Sequence, residues 1–305
     1  MLYDLVVVGG GPAGLTAAIY ARRYGLKTVV LTEVVGGLMV ENPWIENYPG
    51  FGRISGEELA RRMREHAESL GAEIKLEKVK EIERKGKKFA VRGEWGTEIE
   101  ARSIIIATGL ERKRLNAKNE KKFAGKGVSY CATCDAAFFR GKVVGVVGGG
   151  NSAGIAALLL SEFAKKVYII YRRDRFYRME PVYVKKIEEN EKIEPIFNET
   201  VVECLGKEKL EGVKLKSGRV LQINGLFVEI GFEPRLPFIT KGFEIECDEA
   251  GFVKVDDGMR TSVRGVFAAG DITTGSGSFR QIVTAAAEGA IAAHSAHRYL
   301  MEVSE

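Results

Sequence analysis

Cysteine is scarce in this chain, with 4 among 305 residues. Cys131 and Cys134 stand close together, while Cys204 and Cys247 stand apart. That pattern excludes the dense disulfide framework of a small secreted domain and fits a reducing, cytoplasmic setting. Proline is scarcer than glycine, 7 against 36, and no low-complexity run is present. The glycine excess therefore signals tight turns and close backbone approach to ligands rather than disorder. No block of one charge occurs: 46 basic residues are interspersed with 41 acidic ones for a net charge of +5. A nucleic-acid tract is excluded on that ground. The uncharged stretch from Val143 to Ser161 contains Gly148-Gly149-Gly150-Asn151-Ser152, so it is expected to form strand, turn and buried helix, with no membrane span. The first residues run straight into a strand, and no secretory leader is expected.

What the chain does have is one design used twice. An apolar strand, Tyr3 to Val8, leads through a glycine turn into a helical pattern from Pro12 to Tyr24. A second strand then runs from Lys27 to Leu31. A helix follows from about Ser55, a plausible N-cap, to Leu70. The pattern restarts with a strand from Lys142 to Val147, a turn at 148–150, a helix from Ser152 to Ala164 and a strand from Lys166 to Tyr171. A long helix, about Phe279 to Leu300, closes the chain. Two β-α-β units of this kind predict an α/β protein with two Rossmann-like dinucleotide-binding domains, the second inserted into the first. The expected boundaries are 1–111, 112–239 and 240–305.

Gly9, Gly11 and Gly14 match G-x-G-x-x-G, with Pro12 and Ala13 inside the loop. The first glycine makes the tight turn, the second admits a pyrophosphate against the backbone, and the third lets helix and strand pack closely. The helix start then offers free N–H groups and the positive end of its dipole. Glu33 ends the next strand, where a ribose hydroxyl needs an acceptor; a solvated strand end is the simpler alternative. Gly148, Gly150 and Ala153 repeat the loop around Asn151 and Ser152. Here the acidic residue is replaced by Tyr171-Arg172-Arg173. Arginine forks bind a ribose 2′-phosphate that an acid repels. One charge-assisted hydrogen bond of about 1.5–3 kcal/mol favours NADP over NAD by roughly ten- to a hundredfold. The alternative is a surface basic run, since Arg175 and Arg178 lie nearby.

Cys131-Ala132-Thr133-Cys134 is a C-x-x-C. It suits a reversible disulfide, one sulfur of which becomes a good nucleophile. Half a zinc site is the alternative, but neither the isolated cysteines nor His294 and His297 stand at suitable spacing, so no metal is expected. Asp135 is placed to shuttle a proton to a departing thiolate, or else to cap a helix.

In order along the chain, GGGPAG (9–14), ENYPG (46–50), ATG (107–109), YCATCD (130–135), GGGNSA (148–153), YRRD (171–174), GVFAAGD (265–271) and RQI (280–282) resemble the low-molecular-weight thioredoxin reductases of bacteria and archaea. The resemblance covers nearly the whole chain. It implies FAD bound by the flanking segments: Gly36, Gly37, Leu38, Asn47, Val79 and Ala107-Thr108-Gly109 line the site beside the first glycine loop. Gly270 and Asp271 meet the ribityl-pyrophosphate portion, and Arg280, Gln281 and Ile282 the flavin ring. It implies NADPH and the cysteines on the inserted domain, with Cys134 nearest the flavin, Cys131 attacking the partner's disulfide and Asp135 as the acid/base. It further implies a homodimer whose partner is thioredoxin or a thioredoxin- or glutaredoxin-like protein. An inserted domain that turns between two poses is also implied, with joins near 110–113 and 234–242.

Three positions depart from the family pattern. The second loop continues Gly154-Ile155-Ala156-Ala157 where one or two glutamates are usual. Tyr171 replaces a histidine, and Gly36-Gly37-Leu38 ends in leucine rather than glutamine. They leave other donors as alternatives, namely NADH, ferredoxin or a deazaflavin. Another alternative is a ferredoxin:NADP reductase-like enzyme, against which Cys131 and Cys134 weigh.

Overall fold

In the computed structural model, which describes residues 2–42, 44–234, 236–277 and 279–303, the chain divides into two units. One comprises residues 1–111 and 233–305, the other 112–232. The first opens with β1 (Leu2–Val8), α1 (Pro12–Arg23), β2 (Thr28–Thr32), α2 (Gly56–Ser69), β3 (Glu73–Leu76), β4 (Val79–Lys85), β5 (Lys88–Gly93) and β6 (Glu98–Ile106). β7 (Leu110–Arg112) carries the chain across. The second unit holds α3 (Glu120–Phe123), β8 (Val128–Ser129), α4 (Ala132–Asp135), β9 (Val143–Val147), α5 (Asn151–Phe163), β10 (Lys166–Ile170), α6 (Pro181–Glu188) and β11 (Ile193–Ile196). It continues through β12 (Val201–Leu205), β13 (Gly212–Leu215), β14 (Val220–Leu221) and β15 (Gly225–Val228). β16 (Phe232–Pro234) carries the chain back to β17 (Ile239–Lys241), β18 (Val266–Ala268) and α7 (Ile282–Glu302).

The α/β class and the inserted arrangement are as the sequence indicates. In the first unit the sheet order is β17-β4-β5-β6-β1-β2-β3, with β18 also on β6. β1 runs parallel to both β2 and β6. The period-2 geometry of a strand divides its residues between two cores. Leu5, Val7, Val30 and Ile105 pack with α1 and α7, whereas Val6, Val8, Leu31, Ile104 and Ile106 pack on the opposite face. Burial on both faces explains why these strands read as unbroken apolar runs rather than alternating ones. The second unit has a parallel sheet, β11-β10-β9-β15-β8, divided in the same way: Val144, Val146 and Ile169 on one side, Val147, Ile170 and Leu226 on the other.

Local signals set the element ends. The Ser55 side chain accepts from the Glu58 amide at 3.2 Å, so it does cap α2, and Glu57 and Glu58 complement the helix dipole there. The final helix begins at Ile282, three residues later than its apolar pattern suggests, because Thr284 Oγ1 takes the Gln281 amide at 3.0 Å and fixes Gln281 as the N-cap. The inserted unit spans Arg112–Phe232, and Ile239–Lys241 is a strand of the first sheet, bonded to β4. The two crossing strands, β7 and β16, pair with each other.

Candidate active site

The first glycine loop is shaped by contacts that no side chain tolerates. A Cβ on Gly9, whose φ is +109°, would lie 2.2 Å from the Ala107 carbonyl oxygen, and one on Gly14 would lie 1.9 Å from that of Gly9. These distances seat α1 directly against the ends of β1 and β6. Over Gly11 there is open space, and no side chain caps α1, which starts with Pro12 at N1. The loop after β2 folds back onto this turn: the Gly36 amide donates to Gly10 O at 2.7 Å, and Gly37 faces the Gly11 Cα. Leu38 follows in a 3-10 turn, Gly37–Glu41. Glu33 is exposed at the end of β2, where Lys78 Nζ lies 3.6 Å from its carboxylate. Val79 buries its side chain in the core. Thr108 lies in the Ala107-Thr108-Gly109 turn. Its Oγ1 is buried without a hydrogen-bond partner among the described residues. A buried hydroxyl left unpaired costs free energy. The orphan, the open face of Gly11 and the uncapped helix start together fit a bound dinucleotide such as FAD.

The chain returns to this region through the turn at 270–276. Gly270 faces Ala13, and its amide donates to Glu288 Oε2 at 2.8 Å. Glu288 is buried in α7 and also accepts from Thr273 Oγ1 at 2.8 Å and from the Ser276 hydroxyl. One residue on, a Cβ at Gly289 would lie 2.1 Å from Ala13 O, so α1 and α7 cross with their backbones almost touching. Asp271 ionises above the usual carboxylate range because burial penalises its charge; Arg280 opposes the shift and Glu288 adds to it. Arg280 donates from Nε to Asp271 O at 3.2 Å and lies over the Phe252 ring. Asn47 Nδ2 donates to Gln281 Oε1 at 3.0 Å, and Ile282 begins α7. Thus the structure gathers 9–14, 36–38, 47, 107–109 and 270–271 with 280–282 in one unit.

The second loop repeats the construction. A Cβ on Gly148 would strike the Glu229 carbonyl oxygen at 2.2 Å, Gly150 is open, and α5 starts without a side-chain cap. α5 begins at Asn151 rather than Ser152. The Asn151 side chain exchanges hydrogen bonds with Glu180, donating to Oε1 at 2.7 Å and accepting from its amide at 2.8 Å. Ser152 is exposed, and Ala153 is buried beside Gly148. Tyr171 is buried: its ring fills the space beside Gly149 and stacks on Phe176. Arg172 and Arg173 are exposed just beyond β10, with Arg173 over the Tyr177 ring. Open glycine, uncapped helix and two exposed arginines fit a phosphorylated dinucleotide.

Cys131 and Cys134 form a disulfide, with their Cα atoms 5.4 Å apart. Cys131 is the N-cap of α4, and its Sγ accepts the Cys134 amide at 3.2 Å. Once the ring opens, that amide stabilises negative charge on the Cys131 sulfur. Ser129 Oγ accepts the Cys131 amide at 3.1 Å and donates to its carbonyl at 3.2 Å, holding this residue from both sides. Cys134 is exposed and Cys131 partly so. Asp135 makes no side-chain cap to the 3-10 turn Ala136–Phe139 that follows it. Burial pushes the Cys204 thiol up to about 11, with Glu120 and Glu203 adding to the shift. Cys247 is only partly buried, less so than its small apolar character suggests. Among the described residues no three His, Cys, Asp or Glu side chains gather as metal ligands.

The pattern of pyridine nucleotide-disulphide oxidoreductases matches residues 3–289, and the chain belongs to that family. More particularly, it is similar over 100% of its length to thioredoxin reductase of Bacillus subtilis, with 40% identity and 96% of that protein covered. Among solved structures it is similar to Lactococcus lactis thioredoxin reductase in the FR conformation. There the TM-score is 0.89 and the identity 40%, over 98% of this chain and 99% of that one. Thioredoxin reductase of T. acidophilum gives a TM-score of 0.86 and 39% identity, over 97% and 98%. The chain is thus an oxidoreductase of the thioredoxin reductase type, a group that contains FAD and depends on NADPH. No helix among the described residues is long and apolar enough to cross a membrane.

Glu288, Gly289 and Glu120 escape the motif reading. Glu288 and Gly289 lie in an alanine-rich helical run where a lone Glu-Gly pair is the one irregularity. Glu120 sits in a charged stretch, NEKK, that reads as surface. Only the fold shows that it is buried, 2% exposed.

Proposed function

We propose that this protein reduces the disulfide of thioredoxin, or of a thioredoxin- or glutaredoxin-like protein, at the expense of NADPH, and that it works as a cytoplasmic homodimer. The observation that carries this reading is the Cys131–Cys134 disulfide at the head of a short helix, in a unit with its own dinucleotide loop. Residues 9–14, 36–38, 107–109, Asp271 and 280–282 would hold FAD, and Gly148, Gly150, Arg172 and Arg173 would hold NADPH. When bound, FAD supplies a two-electron carrier between NADPH and the disulfide.

The dithiol then acts by exchange. The Cys131 thiolate attacks one sulfur of the partner's disulfide, forming a mixed disulfide, and the partner's other sulfur leaves as a thiolate. Asp135 supplies a proton to a departing thiolate. The Cys134 thiolate next attacks Cys131 Sγ. This re-forms the ring and releases the second partner sulfur, so an electron pair has passed from the dithiol to the partner. Cys134 N–H and Ser129 hold Cys131 in place throughout. The test is thioredoxin reduction driven by NADPH, with NADPH reduction of a dye as the control. Cys134→Ser should lose the first by more than about a thousandfold while retaining the second; sustained thioredoxin reduction by that variant contradicts the mechanism.

A further inference from the structure

Glu120 is a buried carboxylate that the exchange chemistry does not use. It accepts from the amides of Leu115 at 2.9 Å and Asn116 at 2.6 Å, and from the hydroxyl of Tyr130 at 2.6 Å. Asn116 and Asn119 both hold left-handed backbone, with φ of +59° and +66°, so the segment from 115 to 120 wraps tightly around that carboxylate. Its third donor comes from the residue immediately before Cys131. Burial, and then the bond to Glu120, keep the Tyr130 hydroxyl protonated far above neutral pH, so it remains a donor.

We propose that Glu120 and Tyr130 are positioning residues for the redox pair: the buried carboxylate, through the Tyr130 hydroxyl, holds the Cys131 end of the turn in place when the disulfide opens. In the disulfide form the covalent ring itself keeps the two sulfurs together. In the dithiol form the turn is held by Ser129 and by the Tyr130 anchor. An anchored turn keeps the thiols at a high effective concentration for each other, which favours the disulfide. Loosening the anchor gives the dithiol more freedom and shifts the pair toward the reduced form. The proposal rests on reading Cys131–Cys134 as the working disulfide, but its test does not require turnover.

The holoenzyme is equilibrated anaerobically in glutathione buffers of varied ratio, and the Cys131–Cys134 pair is scored by alkylation and mass. In each exchange two glutathione thiols are oxidised to one glutathione disulfide, while the protein disulfide takes two electrons and two protons. Tyr130→Phe keeps the ring and removes only the hydroxyl. We expect its equilibrium constant to shift three- to tenfold toward the dithiol, about 14–30 mV at 29.6 mV per decade. Glu120→Gln should shift it in the same direction. Ser161→Ala removes a hydroxyl bonded to Leu158 and Asn190 elsewhere in the same unit and should leave the ratio unchanged. NADPH reduction of a dye should be the same in all three. An unchanged glutathione ratio in folded Tyr130→Phe and Glu120→Gln overturns the proposal, as does an equal shift in Ser161→Ala. Failure of the wild-type protein to reduce any protein disulfide with NADPH would instead overturn the reading on which it rests.

Discussion

The side-chain amide of Asn47 donates to the side-chain carbonyl of Gln281 at 3.0 Å, joining positions 234 residues apart. Gln281 is also the N-cap of α7, so this bond ties the loop after β2 to the start of the closing helix. Asn47→Ala should therefore loosen both expected flavin contacts. One such bond contributes about 1 kcal/mol, so the FAD dissociation constant should rise roughly three- to tenfold, measured by flavin fluorescence on reloading the flavin-free protein.

Asp271 gives an effect of opposite sign on stability and binding. Its carboxyl titrates above the ordinary value of 3.8, chiefly because burial disfavours the charge. A carboxylate with a raised folded pKa destabilises the fold once ionised. That penalty is fully present above the folded pKa and disappears as pH falls below the ordinary value. Asp271→Asn should raise the melting temperature of the flavin-free protein at pH 7, with no gain below pH 3.8. It should also weaken FAD retention. A melting temperature at pH 7 that stays the same or falls would contradict the burial argument.

The proposed function assigns the choice of cofactor to Arg172 and Arg173. Replacing both by alanine should raise KM for NADPH by roughly ten- to a hundredfold, the loss of one charge-assisted hydrogen bond of ~1.5–3 kcal/mol or more. KM for NADH should change little. Steady-state kinetics with a dye acceptor measure both, and an equal rise for the two nucleotides would point to a general electrostatic effect instead.

The four cysteines should separate by reactivity. Cys204 is buried and its thiol is held up to about 11, so at pH 8 it remains almost wholly protonated. After reduction, iodoacetamide at pH 8 should label Cys131 and Cys134 first. Cys247, partly buried and also shifted upward, should follow slowly, and Cys204 should react only on unfolding. Mass spectrometry of the alkylated peptides checks the order.

Both glycine loops, the C-x-x-C and the doubled strand-turn-helix design were legible because each depends on residues close in sequence. The crowding of Gly14 by the Gly9 carbonyl is local in the same way, whereas the carbonyls that crowd Gly9 and Gly148 belong to Ala107 and Glu229 and arrive only with the fold. The pairing of Asn47 with Gln281 was not legible, since side chains 234 positions apart meet only after the sheet forms. Nor was the burial of Glu120 and Glu288, because a carboxylate is buried only when donors surround it: those of Glu120 come from the irregular turn at 115–116 and from Tyr130, and those of Glu288 from the turn at 270–276. Tyr171 shows the same limit. Its ring packs beside Gly149, a placement set by the neighbouring loop.

The central claim is that electrons from NADPH reach the Cys131–Cys134 disulfide through bound FAD. Its most direct test is an anaerobic titration of the yellow holoenzyme with NADPH, following flavin absorbance. Two electron acceptors in contact predict that bleaching is complete only after about two hydride equivalents per flavin. Completion at about one equivalent would show the cysteine pair out of redox contact with the flavin, and would contradict the account.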